Sequence, residues 1–189
     1  KSFFSKKNNN IFICVARAGN VIGGGDWSND RLIPDCIKSY AKNKTAIIRN
    51  PNSTRPWQHV LEVIYGYLKL ASKLTLKKTL HGQIFNFGPS KNSNFTVLQI
   101  LSKIKKNFPN LKWKVHKTRP DFFESKLLKL NSNKAKIKLG WKSILSISES
   151  TSLVANWYNF FYNRKKKNID LYNLSVSQIN FYLKKLKKK

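Results

Sequence analysis

The sequence has no methionine at any of its 189 positions, the first included. Translation starts on methionine, so the expectation is a piece of a longer protein that begins mid-helix or mid-loop around Lys1-Ser2-Phe3-Phe4. Cysteine is almost absent too: Cys14 and Cys36 are the two present, and they lack the spacing of a metal or redox motif. Two thiols in apolar surroundings read as reduced core residues of a cytoplasmic protein. No apolar run approaches the roughly 20 residues that span a bilayer, and no signal peptide is visible. His59, His81 and His116 lie far apart, which argues against a metal site and gives no local support for a Ser/His/Asp arrangement. Acidic residues are the scarcest charge, 8 against 37 Lys and Arg, for a net charge of +29.

Such a charge points first to nucleic acid or anionic membrane. The cations, however, are mostly lysine: six of the 37 are arginine, and abundant Asn and Ile accompany the lysines, the bias of AT-rich codons. A nucleic-acid surface mixes Arg with Lys and interleaves aromatics, whereas here Lys is spread along nearly every exposed face. A basic nucleic-acid-binding module therefore stays as an alternative carried by charge alone, and the expected partner is neither a specific nucleic acid nor a membrane.

With 41% hydrophobic residues the chain can bury a core. Residues 11–16 form an apolar, β-branched-rich run, the composition of a strand buried on both faces in a parallel sheet. It delivers Arg17 and Asn20 to its carboxyl end, where open α/β sheets bind ligands; the alternative is a flexible turn with Arg17 solvated and Asn20 holding a bend. Asp30 is placed to cap a helix to about Lys42 with Pro34 in its first turn. Residues 45–49 and 57–60 read as extended. A helix from Leu61 to about Leu74 is expected to pack through Ile64, Tyr67, Leu68 and Ala71, and residues 83–87 form a second buried strand parallel to the first. Beyond it, Thr96 opens a helix with Val97, Ile100, Leu101 and Ile104 on one face, and residues 111–115 alternate as an edge strand. Residues 127–130 read as a short strand, and a small helix from Ser132 closes at Gly140. Ser146 and Glu149 form a capping box for a helix facing inward through Leu153, Trp157 and Phe160. A last helix from Ser175 carries Val176, Ile179 and Leu183, and residues 1–9 and 184–189 are expected to fray.

Gly23-Gly24-Gly25-Asp26-Trp27-Ser28 comes close to a dinucleotide fingerprint. Ser28 stands where the third glycine would be, and no acid follows about twenty residues later, so it reads instead as a substrate-side loop. Tyr40/Lys44, Tyr65/Lys69 and Tyr162/Lys166 have the i,i+4 spacing in which an ammonium lowers a phenol pKa. In a chain this rich in lysine such pairs arise by chance.

The ordered series Arg17-Ala18-Gly19-Asn20-Val21-Ile22-Gly23-Gly24-Gly25-Asp26-Trp27, Asp30-Arg31-Leu32-Ile33-Pro34-Asp35, Arg49-Asn50-Pro51 and Arg55-Pro56-Trp57-Gln58-His59-Val60 resembles the nucleotide-sugar 4,6-dehydratases of the extended short-chain dehydrogenase/reductase family, and within it those that act on CDP-glucose. The resemblance continues through Phe85-Asn86-Phe87-Gly88-Pro89 to residues 134–141. It implies an α/β fold: the C-terminal part of a Rossmann-type doubly wound parallel sheet (residues 10–20 and 58–89) plus a small α+β substrate-binding domain (residues 21–57 and 90–189). It implies NAD as cofactor, a nucleotide-sugar substrate, CDP-glucose, and a homo-oligomeric parent. In the implied reaction a hydride leaves C4 for NAD, water is lost across C5 and C6, and the hydride returns to C6, a step of deoxysugar and O-antigen synthesis. By resemblance Asn20 and Arg55 hold the diphosphate, Leu32, Ile33 and Pro34 lie beside the base, Arg119 and Glu124 belong to a substrate loop, and Arg17 faces the cofactor. The family's cofactor-binding glycines and Tyr/Lys pair precede the first of these motifs, so no catalytic residue is assigned in this chain, which by itself is expected to be inactive. Another epimerase or dehydratase of the same superfamily is the nearest alternative.

Overall fold

The computed structural model describes residues 11–90, 94–116, 130–167 and 170–188. The chain's first described strand, β1 (Val15–Ala18), turns at Gly19 into β2 (Asn20–Ile22). α1 (Leu32–Ala41) and β3 (Ala46–Ile48) follow, then β4 (Thr54–His59), which runs directly into α2 (Val60–Leu76). β5 (Ile84–Phe87), β6 (Asn94–Thr96), α3 (Val97–Lys105) and β7 (Trp113–Val115) come next. Among the described residues, α4 (Asn133–Leu139), α5 (Ile147–Lys167) and α6 (Leu171–Lys187) follow.

Three small sheets organise these elements. β1 pairs in parallel with β5, Val15 opposite Ile84 and Arg17 opposite Asn86. β4 lies between β2, parallel to it, and β6, antiparallel. β3 pairs in parallel with β7. Parallel neighbours far apart in sequence need helical crossovers, and α2 is the one leading to β5. The expected parallel pairing of the first strand with residues 83–87 is thus present, in a mixed α/β fold of Rossmann type.

The strand differs from expectation in extent and burial. Residues 11–14 precede β1, and Ile11, Ile13, Val15 and Ile84 are exposed, so the β1–β5 face carrying Val15 and Ile84 is open in the described chain rather than covered on both sides. The main core forms instead between α1, α3, α5 and the small sheets, around Ile37, Ile100, Leu101, Ile104, Phe108 and Tyr158. A second cluster beneath α2 joins Leu70, Phe85, Phe87, Leu139 and Trp141.

Local signals place the helix starts well. Thr96 and Gln99 form a reciprocal capping box on α3, Ser146 and Glu149 form another on α5, and Gly140 closes α4 at φ 66°, where a glycine avoids the Cβ penalty. Asp30 does not cap α1: Arg31 occupies the cap without a side-chain bond, and Asp30 adopts φ 59° with its carboxylate turned to Arg49.

Helix faces differ from expectation by about one position. α2 buries Glu62, Val63, Gly66 and Leu70 and leaves Ile64 and Leu68 exposed. α5 buries Val154, Ala155 and Tyr158 beside the half-buried Leu153, Trp157 and Phe160. α6 starts at Leu171 behind an Asp170 cap and buries Gln178 and Tyr182, with Ile179 and Leu183 exposed. α6 continues through Lys187, and Lys185 pairs with Glu149. The cause on α2 and α6 is polar. Glu62, 1% exposed, accepts from the Ile144 and Leu145 backbone N–H groups at 2.7 and 2.6 Å, from Ser143 Oγ at 3.1 Å and from Tyr182 Oη at 2.9 Å. A buried carboxylate needs such donors, and satisfying them turns both helices.

Candidate nucleotide-sugar site

A cavity of about 770 Å³ opens where the carboxyl end of β1, β2 and the loop after it, the first turns of α1, the end of β3 and the start of β4 converge. That volume is in the range of small-molecule sites. Asn20, Leu32, Ile33, Pro34 and Arg55, five residues assigned to substrate by sequence, all line it. Arg17 does not line it; it stands on β1 opposite Asn86. Arg119 and Glu124 lie outside the described residues.

Each wall follows from local chemistry. Gly19 joins β1 to β2 where a Cβ would stand 2.5 Å from the Pro56 carbonyl oxygen, so a residue without a side chain lets Asn20 and β4 meet. Gly24 crosses α5 where a Cβ would fall 2.1 Å from Trp157, and Gly25 turns at φ 76°. The glycine run thus packs on α5 and returns the chain toward α1, with Tyr158 Oη donating to the Asp26 carbonyl at 2.6 Å. Trp27 sits among Trp157, Tyr158, Phe161 and Tyr162, which fixes the loop from outside. Pro34 in the first turn of α1 places Ile33 and Leu32 on the cavity wall.

The cations of the wall are selective. Among the described residues Arg31, Arg49 and Arg55 line the cavity and no lysine does, in a chain with six arginines among 37 Lys and Arg. Arg55 is 8% exposed and donates to the Thr54 carbonyl at 2.9 Å, so its guanidinium is oriented. A planar fork of fixed charge suits phosphate oxygens in a way that a lysine ammonium does not. Arg31 is a wall residue that the sequence reading leaves unassigned; the scarcity of arginine in this chain is the signal that finds it.

Other candidates disperse. Tyr65 and Lys69 do touch, Nζ donating to the phenol oxygen at 3.3 Å, but Lys69 also donates to the Gly140 carbonyl at 3.0 Å, Tyr65 packs on Tyr182, and neither lines the cavity. Lys44 falls beyond the end of α1, and the Lys166 side chain lies outside the described residues. Cys14 donates its thiol to the Leu80 carbonyl at 2.9 Å, and burial pushes the Cys36 thiol up to about 12, the opposite of the lowered pKa of a nucleophilic cysteine. No group of three potential metal ligands occurs among the described residues, and no described helix is long and apolar enough to cross a membrane.

At the carboxyl ends of β4 and β5, Gln58 donates to the Phe87 carbonyl at 2.7 Å. Gln58 Oε1 and Asn86 Oδ1 are buried acceptors without a hydrogen-bond partner. Orphaned acceptors at this edge of a parallel sheet fit one flank of a bound dinucleotide; the glycine fingerprint that would hold its pyrophosphate is absent from this sequence.

Known proteins resemble this chain in sequence and in fold. The chain is 38% identical over 162 residues to the CDP-glucose 4,6-dehydratase of Salmonella typhimurium, covering 83% of this chain and 45% of that protein. Among solved structures, UDP-glucuronic acid 4-epimerase from Bacillus cereus, in complex with UDP-glucuronic acid and NAD, superposes with a TM-score of 0.68 at 23% identity over 82% of this chain and 48% of that one. UDP-glucose 4-epimerase from Thermotoga maritima, with UDP-glucose, gives 0.68 at 22% identity over 85% and 50%. The chain spans about half the length of the relatives it matches. Residues 4–88 match the NAD dependent epimerase/dehydratase family, and the similarity to the 38% identical dehydratase covers 83% of the chain.

Proposed function

We propose that this chain forms the substrate-binding half of a nucleotide-sugar 4,6-dehydratase that converts CDP-glucose to CDP-4-keto-6-deoxyglucose in the cytoplasm, in deoxysugar and O-antigen synthesis. The observation that carries the reading is that the cations lining the cavity among the described residues are all arginines, in a chain whose cations are mostly lysine. Arg55 forks onto the diphosphate, Asn20 holds it from β2, and Leu32, Ile33 and Pro34 lie against the base. NAD, when bound, supplies the reversible hydride acceptor of the dehydration; Arg17 and Asn86 are the residues of this chain that would flank it. Residues 10–20 and 58–89 would then be the last strands and helix of a Rossmann domain, with residues 21–57 and 90–189 the substrate domain. The parent enzyme is a homo-oligomer in this reading.

Two outcomes test it. Arg55→Lys keeps the charge but loses the fork, and is expected to weaken CDP binding about tenfold; an unchanged dissociation constant in calorimetry contradicts the assignment. The chain by itself is expected to give no turnover of CDP-glucose with added NAD, because Tyr65 and Lys69 stand off the cavity. Product in a chromatographic assay would show that it carries a catalytic pair.

A further inference from the structure

We propose that Asp30 and Arg49 read the base of the nucleotide and select cytosine over uracil and thymine; this rests on the nucleotide-sugar reading above. The two residues come from different walls of the cavity, Asp30 from the loop before α1 and Arg49 from the end of β3, and both line it. Arg49 Nη2 donates to Asp30 Oδ1 at 2.9 Å, with the arginine side chain 61% and the aspartate 81% exposed. An ion pair this open contributes little to stability. Asp30 adopts φ 59°, a left-handed backbone that its short polar side chain tolerates, and that turn sets its carboxylate beside the guanidinium. The loop therefore holds a carboxylate at the rim beside a guanidinium without any visible return in folding.

The pair has the hydrogen-bond polarity of a cytosine partner. Cytosine presents an exocyclic N4 amine, a donor, next to two acceptors, the ring N3 and O2. A carboxylate accepts only and a guanidinium donates only, so Asp30 takes the N4 amine and Arg49 supplies N3 and O2. Uracil and thymine carry the O4 acceptor in place of the amine, which would face the Asp30 carboxylate with no proton between them. The apolar Leu32, Ile33 and Pro34 line the same cavity and supply a surface for the flat face of the ring. The Asp30–Arg49 bond then serves as a stand-in: each side chain holds the other in the orientation that the base edge requires.

The experiment is calorimetric titration of CDP, UDP and dTDP into the full chain, wild type, Asp30→Asn and Arg49→Gln, in salt high enough to suppress non-specific attraction. Wild type is expected to favour CDP roughly tenfold over UDP and dTDP, the scale of one well-made base contact. Asp30→Asn brings an amide that can donate to O4, so the preference should shrink toward unity with UDP binding kept or strengthened, a change that loss of structure would not produce. Arg49→Gln should weaken CDP more than UDP. Equal binding of the three nucleotides by wild type, or an unchanged preference in Asp30→Asn, overturns the inference while leaving the nucleotide site in place. Binding of none of them by a chain whose circular dichroism shows it folded overturns both the inference and the reading it rests on.

Discussion

Glu62→Ala is expected to cost the fold about 4 kcal/mol, the scale of removing one member of a buried, fully hydrogen-bonded charged network. The carboxylate serves two backbone N–H groups and two hydroxyls, and its own backbone carbonyl accepts from Trp141 Nε1 at 3.2 Å. Alanine would leave the Ile144 and Leu145 amides buried without an acceptor, which is costlier than losing the bonds alone. For a chain of this size the midpoint of thermal unfolding should fall on the order of 10 °C. Tyr182→Phe, which deletes one donor and keeps the ring, should cost about 1 kcal/mol. Circular dichroism melts of the three proteins check this order; a Glu62→Ala midpoint within two or three degrees of wild type, on the order of what a surface change gives, would show that the network does not hold α2 to the segment before α5.

Acid should destabilise the protein through His59, the second large effect. The imidazole is 1% exposed at the junction of β4 and α2, its Nδ1 accepts from the Leu61 N–H at 3.3 Å, and Nε2 is buried without a partner. Burial lowers its pKa from 6.5 to about 4. Because the folded value lies below the unfolded one, the unfolded chain binds the proton first. Stability is thus intact above pH 6.5 and is lost as pH falls from there toward 4. The displacement corresponds to about 3 kcal/mol over that window. His59→Asn retains a cap acceptor and removes the titrating group, so its denaturation midpoint should vary less between pH 7 and 4 than that of wild type. Parallel curves for the two proteins would show that His59 titrates normally in the folded state.

What was legible in the sequence was local. The helix start at Thr96, the Ser146/Glu149 box, the Gly140 stop and the parallel pairing of β1 with β5 rest on signals a few residues long or on simple apolar runs. The Asn20, Leu32–Pro34 and Arg55 assignments converge on one cavity because the chain order of the motif maps onto consecutive walls. What was not legible was decided at a distance. α2 is apolar on more than one side, so periodicity could not choose its face; the choice falls to Glu62, whose acceptors' partners lie about 80 residues later. α6 is set by Tyr182 reaching the same carboxylate. Asp30 has the residue type of a helix cap, but its partner Arg49 comes from another strand, and no local rule reveals that.

The most direct test of the account is titration of CDP into this chain in moderately high salt, repeated with Arg55→Ala. Saturable binding that survives the salt and falls at least tenfold on removal of the guanidinium, as expected for a charged contact, is the predicted result. Heat that disappears with salt, or binding indifferent to Arg55, would contradict it and leave a basic chain with only electrostatic attraction for polyanions.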